Sequence, residues 1–208
     1  MALPSQAKAA CYQKTLPIGA FLFLFQIAIL IWIVFSRTLG ADTFHALLDV
    51  LTLAGTTYLF QRNWKTEEEF ERYEHRWLLI GVISLGLGGI MVGLESASCL
   101  LRGTASTPPP AWPLLIAALV GALGNWRMHH LLESVEDAEH DHLHKNNLDH
   151  VFWDMILSFA VFCSGCSMLL FATSAVDGWI ATVVGFIVLP YLALKRWKEG
   201  THEHAHHH

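Results

Sequence analysis

Charged side chains are scarce in this chain. Of its 208 residues, 15% are Asp, Glu, Lys or Arg and 53% are hydrophobic, where a soluble domain carries about 25% charged residues. The few charges gather in short segments and leave long apolar stretches almost bare, which argues against a soluble globule and for a membrane protein. The net charge of -5 comes largely from segments 67–71 and 133–141, and no Lys/Arg patch exists to hold nucleic acid. Cysteine is scarce too. Cys11, Cys99, Cys163 and Cys166 are too few and too scattered for a disulfide framework. No GxSxG sequence occurs. The beginning of the chain does not read as a signal peptide. Lys8 and Lys14 precede an apolar run with no small-x-small site after it, and the run, at about 20 residues, exceeds the roughly 7–15 of a signal core. It reads as a first membrane span.

What is present in quantity is apolar sequence in span-sized blocks. A helix needs about 20 apolar residues to cross the hydrocarbon core, and six segments qualify: 16–36, 42–60, 77–101, 111–128, 151–176 and 178–195. Arg37 to Ala41 reads as a short loop, Gln61 to Arg76 as a charged one, Arg102 to Pro110 as a Pro-broken one, 129–149 as a polar loop, and Asp177-Gly178 as a tight turn. Lys8, Lys14, Arg62, Lys65, Arg72, Arg76, Arg127, Lys145, Lys195, Arg196 and Lys198 then fall on one side, and only Arg37 and Arg102 on the other. The positive-inside rule makes the crowded side cytoplasmic. The expectation is an all-α, multi-pass integral membrane protein: residues 1–200 as one six-span domain with both termini cytoplasmic, and 201–208 as a His-rich tail or an appended tag.

Two spans carry the same polar signature: His45-Ala-Leu-Leu-Asp49 in span two and His150-Val-Phe-Trp-Asp154 in span five. Residues four apart share a helix face, so each pair presents an imidazole beside a carboxylate. An Asp at the centre of a span costs about 2.5–3.5 kcal/mol on insertion scales, and two of them call for a compensating partner. A divalent cation supplies it: two carboxylates neutralise the charge and two imidazoles complete a tetrahedral shell of the kind Zn²⁺ accepts. Alone, such a His reads as interfacial and such an Asp as a helix cap. The repetition changes this, because spans three apart run in opposite directions and matched motifs in two inverted three-helix halves point to a central site. By hydropathy alone, His45 and Asp49 lie toward the outer face and His150 and Asp154 toward the inner. For the four to meet, span five must begin upstream of 150, span two must shift inward, or water must enter.

The stretch Ala41-Asp-Thr-Phe-His-Ala-Leu-Leu-Asp49 resembles the second-span signature of cation diffusion facilitators, where a small residue and an Asp precede His-x-x-x-Asp; His150 and Asp154 match the fifth-span half. Asn125, Glu95 and Asp177 are similar to single residues of that family in spans four, three and six, with Gly178 standing where the family has Pro, and Glu74 in Tyr73-Glu-His-Arg76 standing where it has Gly. The resemblance covers nearly the whole chain. It implies six spans, a tetrahedral transport site made of His45, Asp49, His150 and Asp154, efflux of Zn²⁺ (with Cd²⁺ or Co²⁺ as substitutes) by proton-coupled antiport, no enzymatic activity, and a homodimer in the lipid bilayer. The family usually continues into a cytoplasmic ferredoxin-like domain. This chain ends about a dozen residues after span six, so that domain is absent or lies beyond the sequence.

Other features are read beside their plainer alternatives. His129, His130, His140, His142 and His144 among Glu136, Asp137, Glu139 and Asp141 form either a metal-collecting cytoplasmic loop or a solvated linker. His75, beside Glu71 and Glu74, is a peripheral ligand or an interfacial His. Cys163 and Cys166 lie one turn apart in an apolar helix and read as packing residues. Gly89 and Gly93 form a GxxxG element, a contact for another helix or for a second copy. Two further function classes stay open: an intramembrane zinc-dependent hydrolase, which would use three ligands and an open position for water, and a membrane metal sensor or store, which would explain the His-rich segments but not the paired motifs.

Overall fold

The computed structural model describes residues 6–33, 37–62, 64, 66–102, 110–135, 142–173 and 175–202. They are helical, with no strand among them. The elements are α1 (Gln6–Trp32), α2 (Arg37–Gln61), α3 (Glu67–Leu101), α4 (Trp112–Glu133), α5 (His142–Phe171), α6 (Ala175–Val183), a π-helical turn (Val184–Val188) and α7 (Leu189–His202). The last three run on as one rod, so the described residues make six helical rods. Four stretches, Gln6–Trp32, Glu68–Leu101, Asn147–Phe171 and Ala175–Lys198, are long and apolar enough to cross a membrane. The α2 and α4 helices, with 25 and 22 residues, have the length but carry more polar side chains: Asp42, His45 and Asp49 in α2, and Asn125, Arg127, His129 and His130 in α4.

Several boundaries differ from those that hydropathy indicates, each for a local reason. The α2 helix starts at Arg37, inside the expected loop. Its first amides are capped from another helix: Asp177 of α6 accepts from the Arg37 and Thr38 N–H groups at 2.9 and 3.2 Å, and the Thr38 hydroxyl donates back to the Asp177 carbonyl at 2.9 Å. Asp177 is thus no turn residue; it stands in the first turn of α6, where a carboxylate suits the helix dipole. The break between the fifth and sixth rods comes earlier, at Ala172, whose φ of 49° is left-handed. The α3 helix begins at Glu67, with the Thr66 hydroxyl accepting from the Glu69 N–H at 3.2 Å as N-cap. The segment 129–149 is mostly helix, since α4 continues to Glu133 and α5 begins at His142.

Packing divides the rods into two groups. One is a four-helix bundle in which α1 packs on α2 and α4, α4 on α5, and α2 meets α5; in the other, α3 lies along the α6–α7 rod. The pairings recur between the two halves of the chain, α1 with α2 as α4 with α5, and α2 with α3 as α5 with α6. The outer surfaces are apolar: Phe21, Leu24, Leu51, Ile83, Leu87, Leu94, Leu119 and Phe159 are exposed, whereas Thr15, Gln26, Asp42, His45, Asp49, Thr56, His150 and Asp154 are buried. A soluble protein sorts residues the other way round, and lipid is the solvent that permits this sorting.

The pairing of α3 with the sixth rod rests on glycine. A Cβ at Gly185 would lie 2.4 Å from the Gly93 nitrogen, and one at Gly89 would lie 2.7 Å from the Leu189 Cβ. The GxxxG element of α3 is therefore a contact within the chain, and the same glycines are covered against a second copy. The π-helical turn lies just before Pro190, which lacks the N–H that the Phe186 carbonyl would receive in an α-helix. The Leu189 N–H reaches the Val184 carbonyl instead, so the widened turn absorbs the proline.

Two stability measurements follow. Asp177→Ala removes the acceptor for two α2 amides and for the Ser164 hydroxyl at 2.8 Å; it is expected to cost about 1–3 kcal/mol, read as a lower unfolding midpoint in mild detergent, with Asp177→Asn losing less. An unchanged midpoint for Asp177→Ala would remove the cross-helix cap from this account. Gly185→Ala should destabilise through its clash with Gly93, whereas Gly40→Ala, with nothing within 4 Å of the added methyl, should gain up to about 1 kcal/mol of helix propensity. Shifts of the same sign in both variants would show that the close approach of α3 and the sixth rod is not energetically significant.

Candidate metal centre

The structure answers the depth problem posed by the sequence. Asp49 stands at the midpoint of α2 because that helix starts at Arg37, and α5 begins upstream of His150, at His142, so that His150 and Asp154 lie well inside it. The two motifs face each other where α2 meets α5. His45, Asp49, His150 and Asp154 are all buried, and one ligand atom from each can be chosen so that the four lie within 4.8 Å of one another. Among the described residues this is the group of His, Cys, Asp and Glu side chains close enough to share a metal ion.

The pairing inside the cluster is crossed. His45 Nε2 lies 2.8 Å from Asp154 Oδ1 on the other helix, and 4.0 Å from Asp49 Oδ1 on its own. His150 Nε2 in turn meets Asp49 Oδ1. The two imidazoles contact edge to face, with centroids 4.8 Å apart. Helical spacing brings each His beside the Asp of its own helix, and the helix pairing then turns it toward the Asp of the other. The His45–Asp154 approach is close but not aligned as a hydrogen bond: neither ring nitrogen of His45 and neither oxygen of Asp154 has a hydrogen-bond partner among the described residues. Buried polar atoms left this way are costly. Bonds of about 2.0–2.1 Å to a shared tetrahedral ion set donor atoms roughly 3.3 Å apart, within the span of separations seen here. Two carboxylates and two imidazoles also match a dication in charge and in coordination number.

A cavity of about 20 Å³ opens beside the cluster, lined in part by Gln26, Asp42, His45, Asp49, Asn125 and Asp154. Gln26 of α1 donates from Nε2 to Asp42 Oδ2 at 2.6 Å, and its Oε1 is buried without a hydrogen bond, as is the Ser158 hydroxyl one turn from Asp154. The sequence placed Asn125 and Asp42 among the resembling positions but assigned no role to Asp42, Gln26 or Ser158. Gln26 did leave a signal, a single amide in an otherwise apolar run.

The peripheral candidates are placed elsewhere. His75 lies on α3, half-buried and outside the four-residue group. His140 and the side chain of His142 fall outside the described residues. His144 is corrected from a solvated loop ligand to an interior residue. It is fully buried, its Nε2 meets the Leu132 carbonyl at 3.0 Å, and its Nδ1 lies 3.1 Å from the Tyr12 hydroxyl. A carbonyl only accepts, so Nε2 donates and Nδ1 accepts from Tyr12, whose oxygen receives the Asn147 amide at 3.0 Å. Both ring nitrogens are therefore engaged. His129 and His130 lie on α4, His129 with Nδ1 3.9 Å from Glu133.

Residues 18–200 match the cation efflux transmembrane domain, a family of transporters rather than enzymes. No match among curated proteins accompanies it. The match takes in α2 to α5 whole, much of α1 and nearly all of the sixth rod, together with the four clustered side chains, and it covers most of the sequence. The chain is a member of the cation efflux family, a multi-pass integral membrane protein of the class that transports metal cations.

Proposed function

We propose that the chain exports Zn²⁺ in exchange for protons by alternating access, through a tetrahedral site made of His45, Asp49, His150 and Asp154. The observation that carries this reading is the meeting of four buried N and O donors from α2 and α5 in a chain of the cation efflux family. Six spans with both termini cytoplasmic fit the Lys/Arg asymmetry of the sequence, and the repeated helix pairings fit two inverted halves. The crossed pairs give the exchange a chemical basis. An imidazole facing a carboxylate can share a proton with it when no metal is bound, and the same atoms must be deprotonated to bind metal. Protons arriving from outside therefore displace the ion.

Alternating access needs parts that separate. The α2 and α5 helices each pack more extensively on α1 and α4, respectively, than on each other. Rocking of the α1–α2 pair against the α4–α5 pair opens the site between its two ligand-bearing helices without breaking either pair. A homodimer belongs to the same reading, formed through a face other than Gly89 and Gly93, which the sixth rod covers. Cd²⁺ and Co²⁺ are accepted as substitutes for Zn²⁺.

Asp49→Ala and Asp154→Ala are each expected to abolish zinc uptake into proteoliposomes under a proton gradient, because each leaves a dication with one anionic ligand in a low-dielectric site. Near wild-type uptake by both folded variants would rule out the cluster as the transport site. His45→Asp and His150→Asp keep a fourth ligand but make the shell oxygen-rich, which suits harder ions such as Mn²⁺. Residual zinc transport with an increased Mn²⁺ share is the expected result, and unchanged selectivity would count against imidazole as the discriminating ligand.

A further inference from the structure

An imidazole that gives Nε2 to a metal ion carries its remaining proton on Nδ1, and that N–H needs an acceptor if the ring is to be held at the right angle. Asp154 and Asp49 both approach His45 at Nε2. That leaves His45 Nδ1, which is buried and has no hydrogen bond among the described residues. Helical side chains lean toward the N-terminus and over the preceding turn. In α2 that turn carries Asp42, three residues before His45 and on the same face.

Asp42 is itself buried, and its hydrogen bond from Gln26 fixes the carboxylate through Oδ2. Asp42 and His45 line one cavity of about 20 Å³, room for about one water molecule. A buried carboxylate needs a donor, and a buried ring N–H needs an acceptor. The ring N–H lacks an acceptor among the described residues, Asp42 has a carboxylate oxygen beyond the one Gln26 engages, and the two residues are one helical turn apart.

We propose that Asp42 is the positioning residue of the metal centre: its carboxylate accepts the His45 Nδ1–H across one water in the cavity that both line, and so fixes the tautomer that turns the Nε2 lone pair to the ion, while Gln26 holds the carboxylate in place. Asp42 touches no metal in this arrangement. The inference rests on the reading of His45, Asp49, His150 and Asp154 as a metal site, and it adds the group that orients one of the four.

The test uses the full chain in mild detergent. Zn²⁺ affinity is measured by competition with a chromophoric chelator, and Co²⁺ coordination by visible absorption. A double Asp49→Ala, Asp154→Ala variant supplies the background from the other histidines. Loss of an orienting partner typically lowers metal affinity about 10–100-fold. That is the effect expected for Asp42→Leu, together with weakened tetrahedral Co²⁺ bands. Asp42→Asn, which keeps an acceptor oxygen, should recover most of both. If folded Asp42→Leu binds Zn²⁺ with wild-type affinity and shows the wild-type Co²⁺ spectrum, the proposal is overturned, even when its unfolding midpoint has fallen, since that combination marks a merely structural role. If the double variant binds like the wild type, the metal-site reading itself fails, and this proposal with it.

Discussion

Two carboxylates near the middle of an apolar-clad helix bundle need positive partners, and the arrangement of the chain follows from supplying them. Asp49 and Asp154 each face an imidazole from the opposite helix. This exchange ties α2 to α5 at the one level where both are most deeply inside the protein. It depends on axial register. If α2 began where hydropathy alone starts it, Asp49 would stand nearer its outer end. The Asp177 carboxylate prevents this by capping Arg37 and Thr38 from α6. A third acid outside the cluster thus sets the depth at which the other two meet.

The rest of the polar interior is satisfied unevenly. On the side of the cluster toward the α1 N-terminus, the Asn147 amide of α5 donates both to Thr56 of α2 and to Tyr12 of α1, and Tyr12 donates on to His144, which donates to the Leu132 carbonyl of α4. Around it pack Leu53, Phe60, Met128, Leu132 and Val151. That network orders the beginning of α5, where an apolar-run criterion sees only polar residues. On the other side, Gln26 and Asp42 face the cavity. The cluster therefore lies between a dense, fully paired layer and a looser one with unpartnered polar atoms, an asymmetry that distinguishes the two directions along the bundle.

Much of this was legible in the sequence, for physical reasons that also mark where legibility stops. The rods follow from apolar runs, because the bilayer sets a minimum length. The cluster of four side chains follows from their repeated spacing, because helical periodicity puts i and i+4 on one face. Helix ends were less legible: Arg37 starts a helix only because Asp177, 140 residues away, caps it. His144 looked solvated because neighbouring residues in sequence are acidic, whereas its partners Tyr12 and Leu132 come from other helices. Gly89 and Gly93 announced a close helix contact, and the partner, Gly185, could be identified only once the rods were packed. The crossing of the His–Asp pairs was likewise invisible, since spacing fixes which residues share a face but not which residue of the facing helix each one meets.

The crossed pairs also bear on how a transporter of this family can release what it binds. A site holding a dication with four buried donors and no alternative for them would bind strongly and let go slowly, because removing the ion leaves two bare carboxylates in a low-dielectric interior. Here His45 and His150 already stand against Asp154 and Asp49. In the proposed exchange each pair would close on a proton as the ion leaves, and the net affinity would fall to the difference between two compensated states. Under that proposal selectivity and release would depend on the same four side chains, and a change that strengthens metal binding by preventing the His–Asp contacts would slow turnover.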